Sequence, residues 1–481
     1  MPRTVLSVEQ TRAWEAASWN AGKQVREVIQ EVGRLLSRRL MELTRPGDRV
    51  LVLCGKGNNG EDAAQTAAQV QGRIVDVIRV SDPARGVEAL KEALAFNPGL
   101  VVDGLFGIGL DRPLDSGWVE LIRALNSSGR AVLAVDVPSG LDADTGLPLP
   151  EAVEARWTVA LGALKHGLLT ASAARYVGRL ELLEDIGLVA CEAQGDFEAT
   201  LATDFEGYPP ARQEIQHKHH FGHLAILAGS VGFHGAAVLA AYGAARAKPG
   251  LTSVFTSPET YVPVASHLIG TMVAPWHVNV LSSSKYTALL LGPGLAAPTG
   301  MDLPRATLSD VWRNADVPVV VDASALEWLP PRSVLSDAVR VITPHSGEAA
   351  RMLGVEATVI DRDRPAAVRA LSTRFGGAWV VLKGSRTLIG RAEGPMRVNL
   401  TGNPGMAIGG SGDILAGYIG GLLAQSTFMA HPLKALSYAV WMHGLAADYL
   451  ESKSSRWVVE DLAMNLGVPF AMGRIESEIL C

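Results

Sequence analysis

The chain has 481 residues, 48% hydrophobic and 19% charged, with a formal net charge of −6. That much apolar material excludes a disordered chain and can fill two buried cores, while the acidic balance excludes nucleic acid or an anionic membrane as the main partner. The three cysteines are too few and too scattered for a disulfide framework or a metal cluster; with no leader-like N-terminus and no run of about 18 apolar residues, a cytoplasmic protein is expected.

In chain order, residues 7–43 have apolar spacing for two helices. Arg49–Cys54 (RVLVLC) reads as a short strand that ends on a buried core thiol. A Gly/Asn turn, an Ala-rich helical stretch and a second strand at Arg73–Val80 follow. Strand-like runs at Leu100–Leu105, Ala131–Val137 and Trp157–Leu161 continue the alternation. Strands alternating with helices predict a parallel sheet covered on both faces. Residues 192–219 are polar, contain Pro209 and Pro210 and lack periodicity, so a domain boundary is expected there. The division expected is 1–195, a linker at 196–219, and 220–481. The second half repeats the α/β style, with strands at His223–Ala228, Ala288–Leu291, Val317–Val321, Val339–Ile342 and Trp379–Leu382. A small-residue helix is expected at Gly235–Ala247, and two long helices begin near Ser411 and Pro432.

Three loops of the first half follow apolar strands: Cys54–Asp62 (CGKGNNGED), Asp103–Pro113 (DGLFGIGLDRP) and Asp136–Gly146 (DVPSGLDADTG). In an open parallel sheet, ligands sit beyond the carboxyl ends of the strands. Asn59, Asp103 and Ser139 offer oxygens that could converge on a hard monovalent cation. Asp136, a carboxylate at a strand end, suits a general base; equally, it could brace a turn.

GNNGED, DGLFGIGL and DVPSGLDADTG, followed by Lys165-His166-Gly167-Leu168, resemble the YjeF N-terminal domain over roughly residues 1–190. That family contains the NAD(P)H-hydrate epimerases. The resemblance implies a Rossmann-like three-layer fold and a potassium ion on Asn59, Asp103 and Ser139. It implies hydrate contacts from Asn58, Asn59, Gly60, Glu61 and Asp62, from Gly107, Ile108, Gly109, Leu110, Asp111, Arg112 and Pro113, and from Asp136. The family's usual NNGGDG is NNGEDA here, so Glu61 and Ala63 replace glycines and a side chain is expected to crowd the loop. The early helix carries IQEVG at Ile29–Gly33 in place of the usual Met-Glu-x-Ala-Gly.

In the second half, Asn403–Gly417 (NPGMAIGGSGDILAG) is a glycine-rich turn opening a helix with Asp413 in its first turn. Backbone N–H groups of such a turn form a nest for a transferring phosphoryl group. Asp413 could accept the proton of an attacking hydroxyl, or merely complement the helix dipole. Lys383–Thr387 (KGSRT) ends another strand and suits nucleotide phosphates; Thr343–Glu348 (TPHSGE), Leu291–Leu295 (LGPGL) and Gly229–Ala236 (GSVGFHGA) complete a set of strand-end loops.

Together these motifs resemble the ribokinase-like fold, specifically the NAD(P)H-hydrate dehydratases, over roughly residues 210–475. Ser346 stands where that family commonly has proline. The resemblance assigns nucleotide contacts to Lys383, Gly384, Ser385, Arg386, Thr387 and Gly412, and hydrate contacts to Ala236, Gly294, His345 and Asp413. It implies ADP, or ATP, as co-substrate with Mg²⁺ screening the phosphates. The fold class expected is therefore α/β: a Rossmann-like domain followed by a ribokinase-like domain, with Asp136 and Asp413 as the catalytic acids. Expected partners are the NADH and NADPH hydrates, an adenine nucleotide and further copies of the chain in a homo-oligomer. The alternative is a small-molecule kinase carrying a non-catalytic N-terminal scaffold.

Overall fold

The computed structural model describes residues 4–467 apart from 194, 196, 278, 282, 283, 298 and 333. The end of the expected second domain, 468–481, thus lies outside the described residues. The chain divides into two compact units between Ala199 and Thr200.

In the first unit, α1 (Val8–Asn20) and α2 (Val25–Leu43) precede the sheet. Ser7 starts α1 by a reciprocal cap: its hydroxyl accepts from the Gln10 N–H at 3.1 Å, and the Gln10 side chain accepts from the Ser7 N–H at 2.9 Å. Then come β1 (Arg49–Cys54), α3 (Asn58–Gln69), β2 (Ile74–Arg79), α4 (Pro83–Leu94), β3 (Leu100–Gly104), α5 (Ser116–Ser127), β4 (Val132–Val135), β5 (Trp157–Leu161) and β6 (Arg179–Leu183). The strands run parallel in the order β2-β1-β3-β4-β5-β6. Side chains alternate across a strand. Val50, Val52 and Cys54 therefore pack with Val28, Val32 and Leu36 of α2, while Leu51 and Leu53 pack with Leu90 of α4 and Leu121 of α5. Cys54 is fully buried, and burial pushes its thiol up to about 11, so it is a core thiol. β2 is an edge strand, and its Ile74 and Val77 are exposed rather than buried on both faces.

The second unit contains β7 (His223–Leu227), α6 (His234–Ala247), β8 (Leu251–Thr256), β9 (Met272–Pro275), β10 (Ala288–Leu291), β11 (Val319–Val321), β12 (Arg340–Ile342), α7 (Ser346–Leu353), α8 (Arg364–Arg374) and β13 (Trp379–Leu382). The hairpin β14 (Leu388–Gly390) and β15 (Met396–Asn399) and the helices α9 (Ser411–Leu423) and α10 (Pro432–Lys453) follow. The strands lie in the order β9-β8-β7-β10-β11-β12-β13-β14-β15. They are parallel as far as β13, and the hairpin then pairs antiparallel. Within the segment expected as a linker, Phe205 is buried against Tyr438 and Trp441 of α10, with ring centroids 5.2 and 5.1 Å apart.

Two helices of this unit meet through glycine. A Cβ on Gly243 of α6 would come within 2.0 Å of the Ile414 carbonyl oxygen, and one on Gly417 of α9 within 1.9 Å of the Ala240 carbonyl oxygen. No larger residue permits that approach, which seats the first half of α9, Ile414 to Gly417, on Ala240 to Gly243 in the later half of α6.

Candidate functional site

The first unit encloses a cavity of about 740 Å³ beyond the carboxyl ends of its strands. Asn58, Asn59, Asp62, the whole run Gly107–Pro113 and Asp136 line it. Gly60 and Glu61 do not line it. Gly60 is seated against the β1 end, where a Cβ would come within 2.1 Å of the Gly55 carbonyl oxygen. The Glu61 carboxylate turns away from the cavity and accepts from Arg79 Nη1 at 2.7 Å, so its side chain does not crowd the loop as expected. Ala63 is buried, facing Gly104, where a Cβ would lie only 2.4 Å from its own.

Asp136 sits at φ 66°, a left-handed backbone that aims its side chain back at the sheet end. Its Oδ1 accepts from Lys165 Nζ at 2.5 Å and from the Leu161 N–H at 3.0 Å. Lys165 is 1% exposed, and Val5–Leu6 pairs in parallel with Leu164–Lys165 to hold its backbone. Sequence reasoning took Lys165 as a motif marker and missed this contact. It also missed Glu15 and Arg12, which α1 adds to the cavity wall. Burial, then the Asp136 charge, raises the Glu15 carboxyl above its ordinary value. Burial, then the charges of Asp136, Glu15 and Glu61, raises Asp62 further, against the pull of Lys165.

Beside the cavity lies a knot of oxygens. Asp103, fully buried, accepts from the Ser139 hydroxyl at 2.6 Å, the Ser139 N–H at 2.8 Å and the Leu105 N–H at 3.2 Å. Ser139 Oγ in turn accepts from the Phe106 N–H at 2.8 Å, and Asn59 Nδ2 donates to the Phe106 carbonyl at 2.8 Å. That turns Asn59 Oδ1 inward, where it is buried without a partner. An orphaned buried oxygen costs about 1–3 kcal/mol.

In the second unit, Asp413 stands in the first turn of α9 behind Gly410, whose φ of 94° starts the helix. Lys383, at the end of β13, reaches this turn: a Cβ on Gly412 would be 3.3 Å from its Nζ. The ammonium donates to Asp322 Oδ1 at 2.6 Å and lies 3.8 Å from Glu348. Burial is the main force raising Asp413, followed by Asp322; Lys383 opposes, Glu348 adds, and the carboxyl ends at about 7. Burial pulls Lys383 down, but Asp322, Glu348 and Asp413 outweigh it and raise the ammonium. Asp322 and Glu348 were missed, although Asp322 also ends an apolar strand, as Asp136 does.

The remaining expected residues stand on α6 and on the loops that follow β10, β12 and β13. Gly294, at φ 66°, abuts Ala236, where a Cβ would come within 2.9 Å of the alanine's own. Ser230 ties that loop down, donating to the Gly294 carbonyl at 2.6 Å. His345 caps α7: its ring Nδ1 accepts from the Gly347 N–H at 3.0 Å, and its backbone N–H donates to Glu348 Oε2 at 2.8 Å. A neutral ring must then carry its proton on Nε2. Lys383–Thr387 forms one turn, closed by Thr387 Oγ1 donating to the Gly384 carbonyl at 3.0 Å. Burial lowers Arg386 to about 10.

Two α/β units, each gathering acids, a buried or half-buried lysine and glycine loops at the carboxyl ends of a parallel sheet, define a fused two-site enzyme. Residues 224–466 match the family described as NAD(P)H-hydrate dehydratase, and residues 19–96 and 81–167 match the YjeF-related protein N-terminus. The bifunctional NAD(P)H-hydrate repair enzyme Nnr of Vibrio cholerae is 40% identical over 74% of this chain and 71% of its own. Its namesake in Coxiella burnetii is 34% identical over 91% and 93%. A solved ADP/ATP-dependent NAD(P)H-hydrate dehydratase from Bacillus subtilis is 29% identical over 55% of this chain and 94% of its own, with a TM-score of 0.47. The chain belongs to the family of bifunctional NAD(P)H-hydrate repair enzymes, and the kinase-with-scaffold alternative falls away. No helix among the described residues is long and apolar enough to cross a membrane.

Proposed function

We propose that the first unit interconverts the R and S epimers of hydrated NADH and NADPH, and that the second dehydrates the S epimer at the expense of ADP. The observation that carries the second step is Asp413, a carboxyl at about 7 in the first turn of a glycine-rich helix start beside Lys383. A base works best with its pKa near the working pH. Asp413 takes the hydroxyl proton of the hydrate, and the hydroxyl oxygen attacks the β-phosphorus of ADP. The bridging P–O bond breaks and AMP leaves. The carbon–oxygen bond then breaks, the neighbouring ring carbon gives its proton to the departing phosphate, and hydrogen phosphate leaves with the oxygen of the added water. Lys383 to Thr387 and the N–H groups around Gly412 hold the phosphates; Ala236, Gly294, His345 and Asp413 hold the hydrate. The Mg²⁺ of such a reaction rides on the nucleotide, with phosphate and water as most of its ligands. ADP rather than ATP is the preferred co-substrate by resemblance.

In the first unit, both Asp136 bonds fall on Oδ1, so Oδ2 is the oxygen that receives a substrate proton. Opening and reclosing the ring at the hydroxylated carbon inverts it, and the bond from Lys165 holds the Asp136 carboxylate in place meanwhile. Potassium fits the neighbouring oxygens, because Asn59 Oδ1, Asp103 and Ser139 are hard donors and the first is buried without a partner. When bound, the ion would neutralise Asp103 and stiffen the Phe106–Pro113 loop. A cytoplasmic enzyme with its thiols reduced agrees with the free Cys54 and Cys191. The proposed homo-oligomer is checked by light scattering.

The test is an epimer mixture with ADP and Mg²⁺, followed by the absorbance of reduced nicotinamide. The wild type converts the whole mixture, whereas Asp136→Ala stops when the S form is exhausted. Hydrate labelled with heavy oxygen at its hydroxyl delivers the label to inorganic phosphate. Label released as water refutes the phosphoryl-transfer route, and a wild type that stalls at the S form refutes the epimerase.

A further inference from the structure

The two turns that flank the dehydratase chemistry share one guanidinium. Arg364, the first residue of α8, donates from Nη1 to Ser346 Oγ at 3.1 Å, and from Nη2 to the carbonyls of Leu382 and Lys383 at 2.9 and 3.3 Å. Its plane also lies against Gly384: a Cβ there would be 3.2 and 3.3 Å from the two terminal nitrogens. The side chain keeps 11% of its exposure, and the Asp361 carboxylate stands off at 3.9 Å. Its bonds thus go to the two turns rather than to a close carboxylate. A short parallel bridge between His345 and Lys383 already brings the turns together, with the Lys383 N–H donating to the Pro344 carbonyl at 2.8 Å.

We propose that Arg364 is a positioning residue that fixes the spacing between the hydrate-side turn (His345, Ser346) and the nucleotide-side turn (Lys383–Thr387), and so the distance from the hydrate hydroxyl to the transferred phosphorus. The proposal rests on the reading of Lys383–Thr387 as the nucleotide turn. Only a planar fork can reach a hydroxyl on one side and two carbonyls on the other; a lysine ammonium cannot span both. Ser346 is this chain's own departure from the family's usual proline, and it gives the fork its hydroxyl. Both ligands bind to groups other than Arg364, so its loss falls on alignment. A misplacement of about 1 Å costs on the order of 10²-fold in rate.

The experiment compares Arg364→Lys, Ser346→Ala and their double variant with the wild type, in steady-state dehydration of the S epimer with varied ADP, alongside thermal unfolding. Arg364→Lys is expected to lower kcat by about 10–10²-fold while both KM values stay within about threefold. Ser346→Ala, which removes one bond and threatens no fold, is expected to lower kcat by about 3–10-fold. The double variant is expected to be no worse than Arg364→Lys, because both lose one fork. A fall in Tm with kcat unchanged makes Arg364 a structural clamp and overturns the proposal. A rise in the ADP KM alone makes it a nucleotide contact and also overturns it. Lys383→Ala, run beside these, separates the underlying reading: an ADP KM unmoved by that substitution removes the nucleotide turn itself.

Discussion

Replacing Asp413 with asparagine tests catalysis and stability in one protein. Its carboxyl titrates at about 7 in the fold, against about 3.9 in an unfolded chain. A folded value raised above the unfolded one favours the protonated form. The stability it contributes is fully present below the unfolded value and is lost as pH rises through the folded value, between about pH 4 and pH 7. At about 1.4 kcal/mol per tenfold change in proton affinity, ionising Asp413 costs the fold on the order of 4 kcal/mol. Solvent reaching the helix start reduces that figure, and about 1–3 kcal/mol is expected. Asparagine keeps the shape and removes the charge. At about pH 8 the variant therefore unfolds later than the wild type, by about 2–4 °C for each kcal/mol in a domain of this size. At about pH 4 the difference shrinks towards zero. The same substitution removes the base, so dehydration falls by about 10²–10⁴-fold. Thermal unfolding at the two pH values and the nicotinamide assay read both effects. A variant that unfolds no later than the wild type at the higher pH shows that the carboxylate is not held against its preference. One that dehydrates at the wild-type rate shows that the base lies elsewhere.

Lys383→Met removes the cation that opposes the rise of Asp413, so the acidic limb of the dehydration rate moves to higher pH, as a pH profile will read. Glu61→Gly leaves epimerisation within about twofold, because the carboxylate faces Arg79 and not the cavity; a larger change returns Glu61 to the site. Asn59→Ala abolishes any stimulation of epimerisation by potassium over lithium and leaves dehydration untouched, measured in buffers differing only in the cation.

Much of this was legible in the sequence because it is written in strand ends. Apolar runs such as RVLVLC and WVVL end on Cys54 and Leu382, and the loops after them carry the expected glycines and acids. Leu251–Thr256 was missed because Thr252, Ser253 and Thr256 break its apolar run, although all three are buried. Lys165 was missed as a site residue because a lone lysine after a strand has no local mark. Its value comes from Asp136, 29 residues away in sequence and 2.5 Å away in space. Glu15 sits on a helix before the sheet begins, so only the packing of α1 brings it to the cavity. Asp322 and Glu348 had local signals, a strand-end acid and a capping-box glutamate. Neither signal says that a lysine from β13 lies between them.

The carbonyl-to-glycine seating of α6 on α9 binds two properties together. Ala236 is the third residue of one helix and Asp413 the third of the other. A methyl group added at Gly243 or Gly417 would push the helices apart and move both at once. On the proposed roles of Ala236 and Asp413, the fit of the ring and the reach of the base are thus inherited as a pair, and a change at this helix seam alters both. On that assignment, adapting the site to a different hydrated cofactor has most freedom at the turn around His345, since Gly294 packs directly on Ala236 and Phe233 at the start of α6.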